Sequence, residues 1–296
     1  MSFAMTTAAP RLAELPIEHF AFNPHQLGRA AIASLYAELE LAPKPGLVSF
    51  VDQGSHDDMD ARTFMRSMFA LRHYFPAIAL AGARQLPFAT LRSFGVNAEQ
   101  RMLQATGGIN THRGAIFVMG LLCAAAGACA PTDVGITPER LRSTMMAIWG
   151  QALEEHAAPL GAPSSHGQRA SAELGVAGAR QEAADGFPTV FCVALPALVA
   201  ARAQGLDSRR ALLQAFFSIM AVTSDTNLVH RGGVIGLHFA QTEARSFLEA
   251  GGAHRSDALD HARSIHRAFV RRRLSPGGSA DLLAAASFVH RICVKQ

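Results

Sequence analysis

The chain has 296 residues, of which 49% are hydrophobic and 17% charged, with a formal net charge of +4. This composition excludes a disordered chain and is enough for a sizeable core. The positive charge is scattered, Tyr is rare and there is a single Trp, so no nucleic-acid stacking platform is expected; phosphate-bearing small molecules suit the balance better.

In chain order, residues 1–22 read as a loose leader and residues 23–296 as one domain. Asn23-Pro24 is an N-cap followed by proline in the first turn, and Leu27, Ala31, Ile32, Leu35 and Leu39 follow at helical spacing. Pro43-Lys44-Pro45-Gly46 stops that helix. A second helix is predicted over Asp60 to Ala81, with Gly82 as its C-cap. Residues 88–105 read as helix broken near Gly95. Next comes the stretch Thr106 to Ala130, a polar glycine-rich loop emptying into a long apolar helix.

Thr137-Pro138-Glu139 starts a helix to about His156. A polar loop with Ser164, Ser165, His166 and Gly167 leads to a weaker helix ending near Gly175. Helices follow at Phe191 to Ala203, from the Asp207 cap to Val222, and at about 233–250, 255–273 and 279–293. No run alternates cleanly between apolar and polar residues, so the expected fold class is all-α, a single multi-helix bundle with polar joints.

Cys123, Cys129, Cys192 and Cys293 form no C-x-x-C pair and read as buried thiols in a reducing compartment. The N-terminus lacks the pattern of a signal peptide. The longest apolar run, Ala115 to Ala130, has 16 residues, short of the roughly 20 that span a membrane. A soluble cytoplasmic protein with no membrane or nucleic-acid partner is expected.

Three glycine doublets lie at or just before predicted helix starts: Gly107-Gly108, Gly232-Gly233 and Gly277-Gly278. Such joints can aim backbone N–H groups at phosphate oxygens, and Arg113, Arg180 and Arg231 lie nearby. The alternative for each is an ordinary helix end. Asp57, Asp58, Asp60, Glu182, Asp185, Asp225 and Asp281 occupy the same joints. Hard carboxylate oxygens suit Mg²⁺, and a helix beginning at residue 57 would place Asp57 and Asp60 on one face; the alternative is capping or solvated charge. The doublet His56-Asp57 also fits an all-α metal phosphohydrolase, which needs further histidines such as His112, His166 or His230. No Walker A sequence, nucleophile elbow or strand-flanked GxGxxG is present.

Six segments, taken together, resemble the triphosphoribosyl-dephospho-CoA synthase family. They are Pro43 to Val48, Gly54 to Asp60, Gly108 to Phe117, Arg180 to Pro188, Asp225-Thr226-Asn227 with Arg231-Gly232-Gly233, and Ser275 to Leu283. They run in order from residue 43 to 283, and Arg113 stands where the family is expected to have lysine. The resemblance implies that ATP and 3′-dephospho-CoA give 2′-(5″-triphosphoribosyl)-3′-dephospho-CoA and adenine. It implies a separate transferase that attaches the product to an acyl carrier subunit, of malonate decarboxylase or citrate lyase, the malonate branch looking closer. A homodimer is left open.

The implied chemistry breaks a glycosidic bond and keeps the triphosphate, so it needs charge neutralisation, a base and a proton donor. Lys44, the glycine doublets, Asn110, Thr111, Arg113, Arg180, Asn227, Arg231, Ser275 and Ser279 are the candidate nucleotide-binding groups. Mg²⁺ would use carboxylates among Asp57, Asp60, Glu182, Asp185, Asp225 and Asp281. The base is sought among Asp57, Asp58, Glu182 and Asp225, and the proton donor is His112 or His56. Two rivals remain open at this point: a metal-dependent helical hydrolase acting on nucleotides or ADP-ribosyl groups, and a helical binding or scaffold protein without catalysis.

Overall fold

A computed structural model describes residues 23–130, 135–158 and 178–293. All regular structure among them is helical, packed around one continuous apolar core. The elements are α1 (Pro24–Glu40), α2 (Ala61–Leu71), α3 (Tyr74–Ala83), α4 (Phe88–Thr106), α5 (Arg113–Cys129) and α6 (Pro138–Ala157). There follow α7 (Ala179–Ala184), a π turn (Thr189–Ala194) running into α8 (Leu195–Ala203), α9 (Ser208–Val222) and α10 (Thr226–Glu249). A 3₁₀ turn (Gly252–His254), α11 (Ala258–Arg271) and α12 (Gly277–Cys293) complete the described residues. The leader, the loop holding Ser164 to Gly167 and the helix ending near Gly175 lie outside the described residues.

The middle of the core is the pair α3 and α5. Their backbones approach so closely that a Cβ on Gly82 would fall on the Ala124 backbone and one on Gly127 on the Ala79 carbonyl. Gly82 is therefore a packing residue inside α3 and not the expected C-cap. Tyr74 ties the pair by donating to the Ile116 carbonyl at 2.9 Å. Helix α12 lies against α1, α5 and α9 with an alanine-rich buried face, and so brings its first turn to the heads of α5 and α10.

Local chemistry decides the boundaries. Asn23 caps α1 through the His25 N–H, Thr137 caps α6 through Arg140, and Asp207 caps α9 through Arg210. The helix expected over Asp60 to Ala81 is two, broken at Arg72-His73. Asp60 is the N-cap of α2, with a capping box to Thr63, so Asp57 and Asp60 share no helical face. The break expected at Gly95 is absent, since α4 runs through it. Helix α10 starts at Thr226, seven residues before the expected 233, and kinks at Gly233 (φ 61°, ψ −165°). The polar stretch before Gly233 is thus helical because Asp225 caps it. Cys192 is exposed, against the expectation of a buried thiol. No single helix among the described residues is long and apolar enough to cross a membrane.

Candidate active site

Charge enters the core at the end of α1. Glu38 lies on the same buried face as Ala31 and Leu35, and Lys44 in the following loop is 2% exposed. The Lys44 Nζ donates to the Glu38 carbonyl oxygen at 2.6 Å and forms an ion pair with the Glu38 carboxylate. Burial lowers the Lys44 pKa, and the Glu38 charge opposes that shift. From α11, His266 places Nδ1 3.0 Å from the Lys44 carbonyl oxygen and Nε2 3.3 Å from Asp52, which holds the loop in place.

Two further carboxylates continue this group, Asp281 interacting with both Glu38 and Asp225. Asp225, 2% exposed, accepts the Asn227 N–H at 2.9 Å, the Ser279 N–H at 2.8 Å and the Ser279 hydroxyl at 3.0 Å. One side chain therefore caps both α10 and the first turn of α12. Burial raises its pKa in spite of these donors. Asp281 accepts the Ala115 N–H at the head of α5, and desolvation, then Glu38, then Asp225 hold its carboxyl well above the ordinary range. Gly114 makes room for it, because a Cβ there would overlap the Asp281 carboxylate.

These contacts redefine the glycine joints. The N–H groups at the head of α5 and in the first turn of α12 are aimed at the protein's own carboxylates. Gly277 lies under the Asn227 side chain, and Gly278 against Asp225. Gly107 and Gly108, both at positive φ, close the C-terminus of α4, with the Gly108 N–H bonded to the Leu103 carbonyl. Gly232 admits the Leu274 side chain, and Gly233 supplies the kink of α10.

His112 is also part of the interior, at 3% exposure. Its Nδ1 lies 2.6 Å from the Ser67 hydroxyl of α2, and Phe64 meets its ring edge-on at 5.0 Å. Its Nε2 and the neighbouring Thr111 Oγ1 are buried without a partner. Desolvation, assisted by the Lys44 charge, lowers its pKa to about 3, so the ring is neutral near pH 7.

A second polar group forms the rim. His56 Nε2 is 2.9 Å from Ser275 Oγ, its Nδ1 is 3.1 Å from an Arg231 nitrogen and 3.6 Å from Asp58. Arg231 also donates to the carbonyls of Ser55 and Arg273, and Arg273 pairs with Asp57 at 3.0 Å. Burial lowers the His56 pKa, with Arg231 adding to the shift and Asp58 and Asp57 opposing it. The segment 274–281 joins rim and interior, carrying Ser275 in one and Ser279 and Asp281 in the other.

The remaining candidates stand apart. Arg113 pairs with Glu99, Nε to Oε1 at 2.6 Å, and Asn110 accepts the Arg113 N–H. Arg180 donates to the His156 carbonyl beside Arg92. Glu182 accepts the Thr189 N–H at 2.7 Å, and burial raises its pKa. Asp185 accepts from Gln181, and Asp60 is occupied in its capping box. Among the described residues no group of three or more His, Cys, Asp or Glu side chains converges as a metal cage.

Sequence reasoning missed Glu38, Ser67, His266 and Arg273. Glu38 had a readable signal, an acid on the apolar face of an otherwise regular helix. Ser67 had none, because its significance is a contact across 45 residues.

The comparisons agree with the resemblance of the six segments. The sequence model of the CitG family, described as ATP:dephospho-CoA triphosphoribosyl transferase, matches residues 24–296. A protein of Acinetobacter calcoaceticus named probable 2-(5''-triphosphoribosyl)-3'-dephosphocoenzyme-A synthase is 40% identical over 278 residues, 94% of each chain. No solved structure matches. The chain belongs to the ATP:dephospho-CoA triphosphoribosyl transferase family and is a transferase of the triphosphoribosyl-dephospho-CoA synthase type.

Proposed function

We propose that the chain transfers the triphosphoribosyl group of ATP to the 2′-hydroxyl of 3′-dephospho-CoA and releases adenine. The observation that carries this reading beyond family membership is the concentration of charge on one seam. Lys44, Glu38, Asp225, Asp281 and the neutral His112 lie behind a rim of Arg231, Arg273, His56 and Ser275. A scaffold gains nothing from burying so many ionisable groups together, since each costs desolvation.

In the reaction the acceptor oxygen bonds to the ribose C1′ and the C1′–N9 bond breaks. The bonding pair leaves with adenine, and the proton lost by the hydroxyl is the one adenine finally carries. Arg231 and Arg273 suit the triphosphate, because guanidinium groups match phosphate geometry and both lie at the accessible rim. Removal of the hydroxyl proton falls to the exposed rim carboxylate Asp58, because Arg231 donates to His56 Nδ1 and so leaves Nε2 as an N–H facing Ser275.

For Mg²⁺ the donor set fits in one place. A magnesium ion usually takes one or two carboxylates and completes its shell with water and phosphate. Asp225 and Asp281 are such a pair; desolvation, then repulsion from Glu38 and Asp225, raises the Asp281 pKa, and a cation would offset the repulsion. Bound there, the ion would neutralise triphosphate charge.

The test is to incubate the protein with ATP, Mg²⁺ and 3′-dephospho-CoA and follow free adenine. Adenine must appear only when dephospho-CoA is present; release of ADP or phosphate in its place overturns the reading. We assign the product to a cytoplasmic route in which a separate transferase loads the acyl carrier subunit of malonate decarboxylase. Growth on malonate, lost on deletion and restored by the gene, checks that branch; loss of citrate lyase activity alone would assign the other.

A further inference from the structure

Ser67 has no substrate-like chemistry of its own, yet it is wholly buried and its hydroxyl meets one polar atom, His112 Nδ1, at 2.6 Å. Two hydrogen placements are open to this pair. If Nδ1–H donated to Ser67, the Ser67 hydroxyl hydrogen and the Nε2 lone pair would both be buried without partners. If Ser67 donates to Nδ1, one group is left over, the Nε2–H. An unpaired buried polar group costs about 1–3 kcal/mol, so the second placement is favoured. It fixes the tautomer of His112 and leaves an N–H donor with no protein acceptor.

The position of the ring points to the use of that donor. His112 heads α5, two residues before Gly114, which lies against the catalytic-seam carboxylate Asp281. Phe64 packs edge-on against the ring, and Met102 approaches the Thr111 N–H. The Lys44 charge reaches this ring, but the ring itself is uncharged, and an uncharged donor suits a neutral heteroaromatic acceptor better than a polyanion, which Arg231 and Arg273 can meet at the rim.

We propose that Ser67 is a positioning residue of the synthase reaction: it holds His112 in the Nε2–H tautomer, and that N–H donates to a ring nitrogen of the departing adenine. The adenine gains electron density as the C1′–N9 bond breaks, so the hydrogen bond strengthens toward the transition state. His112 then assists departure as a donor without giving up its proton. A histidine with its pKa near 3 in the ligand-free fold is suited to that part and not to acid catalysis by an imidazolium. The inference rests on the synthase reading.

Its test has two independent readouts. Histidine-¹⁵N spectra of the unmodified protein near pH 7, with His112 assigned through His112→Gln, must show a neutral ring protonated at Nε2. A proton on Nδ1, or a mixture of tautomers, overturns the proposal whether or not adenine is released. In steady-state assays Ser67→Ala should lower kcat by about 10- to 100-fold and leave KM for ATP within about threefold, because the lost interaction belongs to the transition state. Ser67→Thr, which keeps the hydroxyl, should restore both the spectrum and kcat. Wild-type kcat in Ser67→Ala, or a loss confined to KM, also overturns it. Failure of adenine release in the wild type would remove the synthase reading, while the spectra would still judge the tautomer.

Discussion

Asp281 of α12 occupies the head of α5, where it accepts the Ala115 N–H over a glycine, Gly114, that has no space for a side chain. A helix start that resembles an anion cradle in sequence therefore holds a carboxyl group supplied by the chain itself. The Ala115 N–H and the helix dipole favour its charged form, desolvation and the Glu38 and Asp225 charges outweigh them, and the contact joins α12 to α5.

Gly114→Ala should consequently loosen this contact. The added methyl would overlap the carboxylate, and such overpacking costs about 1–3 kcal/mol. The urea midpoint should fall with an unchanged slope, and adenine release should fall with it. An unaltered midpoint would show that Asp281 moves aside freely.

Glu38 and Lys44 should be inseparable. Removing one partner strands a buried charge, so Glu38→Gln or Lys44→Met should each destabilise by about 3–5 kcal/mol. The double variant should recover most of that loss while remaining inactive. A double-mutant cycle in urea measures the coupling, and strict additivity would contradict a direct pair.

The sign of the pH dependence at Asp281 follows from its raised pKa. Between the unfolded carboxyl value near 4 and the raised folded value, the folded state binds more protons than the unfolded state. The contribution of Asp281 to stability is thus fully present below about pH 4 and is lost as pH rises through the folded value. Without nucleotide, Asp281→Asn should be more stable than wild type at pH 8 and show a flatter urea-midpoint profile. Its turnover should drop about 100-fold, as expected for loss of a transition-state electrostatic contact.

His112 and His156 act in the opposite sense. Both have lowered values, to about 3 and about 4, so their contribution is present above the unfolded value near 6.5 and is lost as pH falls through the folded values. The difference in urea midpoint between wild type and His112→Gln should shrink steadily from pH 7 to pH 4. A constant difference would mean that His112 titrates normally.

Arg273 separates binding from stability. Its pair with Asp57 is exposed and contributes little to the fold. Arg273→Ala should leave the melting curve in place and raise KM for ATP about 10-fold, the loss expected for one charge-assisted phosphate contact. An unchanged KM would remove the rim from the triphosphate site.

Much of the fold was legible because its signals are local. Caps at Asn23, Thr137 and Asp207, the proline stop after α1 and apolar periodicity all concern residues within a few positions of one another. Where the reading failed, distant atoms decided. Gly82 looks like a helix end until α5 is laid against it, and Gly95 like a break although nothing crowds it. The polar joints of the candidate site are visible in sequence, but their internal pairing is not. Asp225 bonds to Ser279 across 54 residues, and Ser67 to His112 across 45.

The sequence by itself determined the helical class and the family, because periodicity, capping and six ordered segments survive in one dimension. Only the tertiary structure decided which of many similar charges share the interior. Asp281, Asp225, Glu38 and Lys44 are brought together there, whereas Asp60, Asp185 and Arg113 are held elsewhere by caps and ion pairs. The physical reason is that a carboxylate at a helix joint has the same local signature whether it faces water or another helix. Burial, and with it pKa, tautomer and chemical role, is set by what packs against the joint.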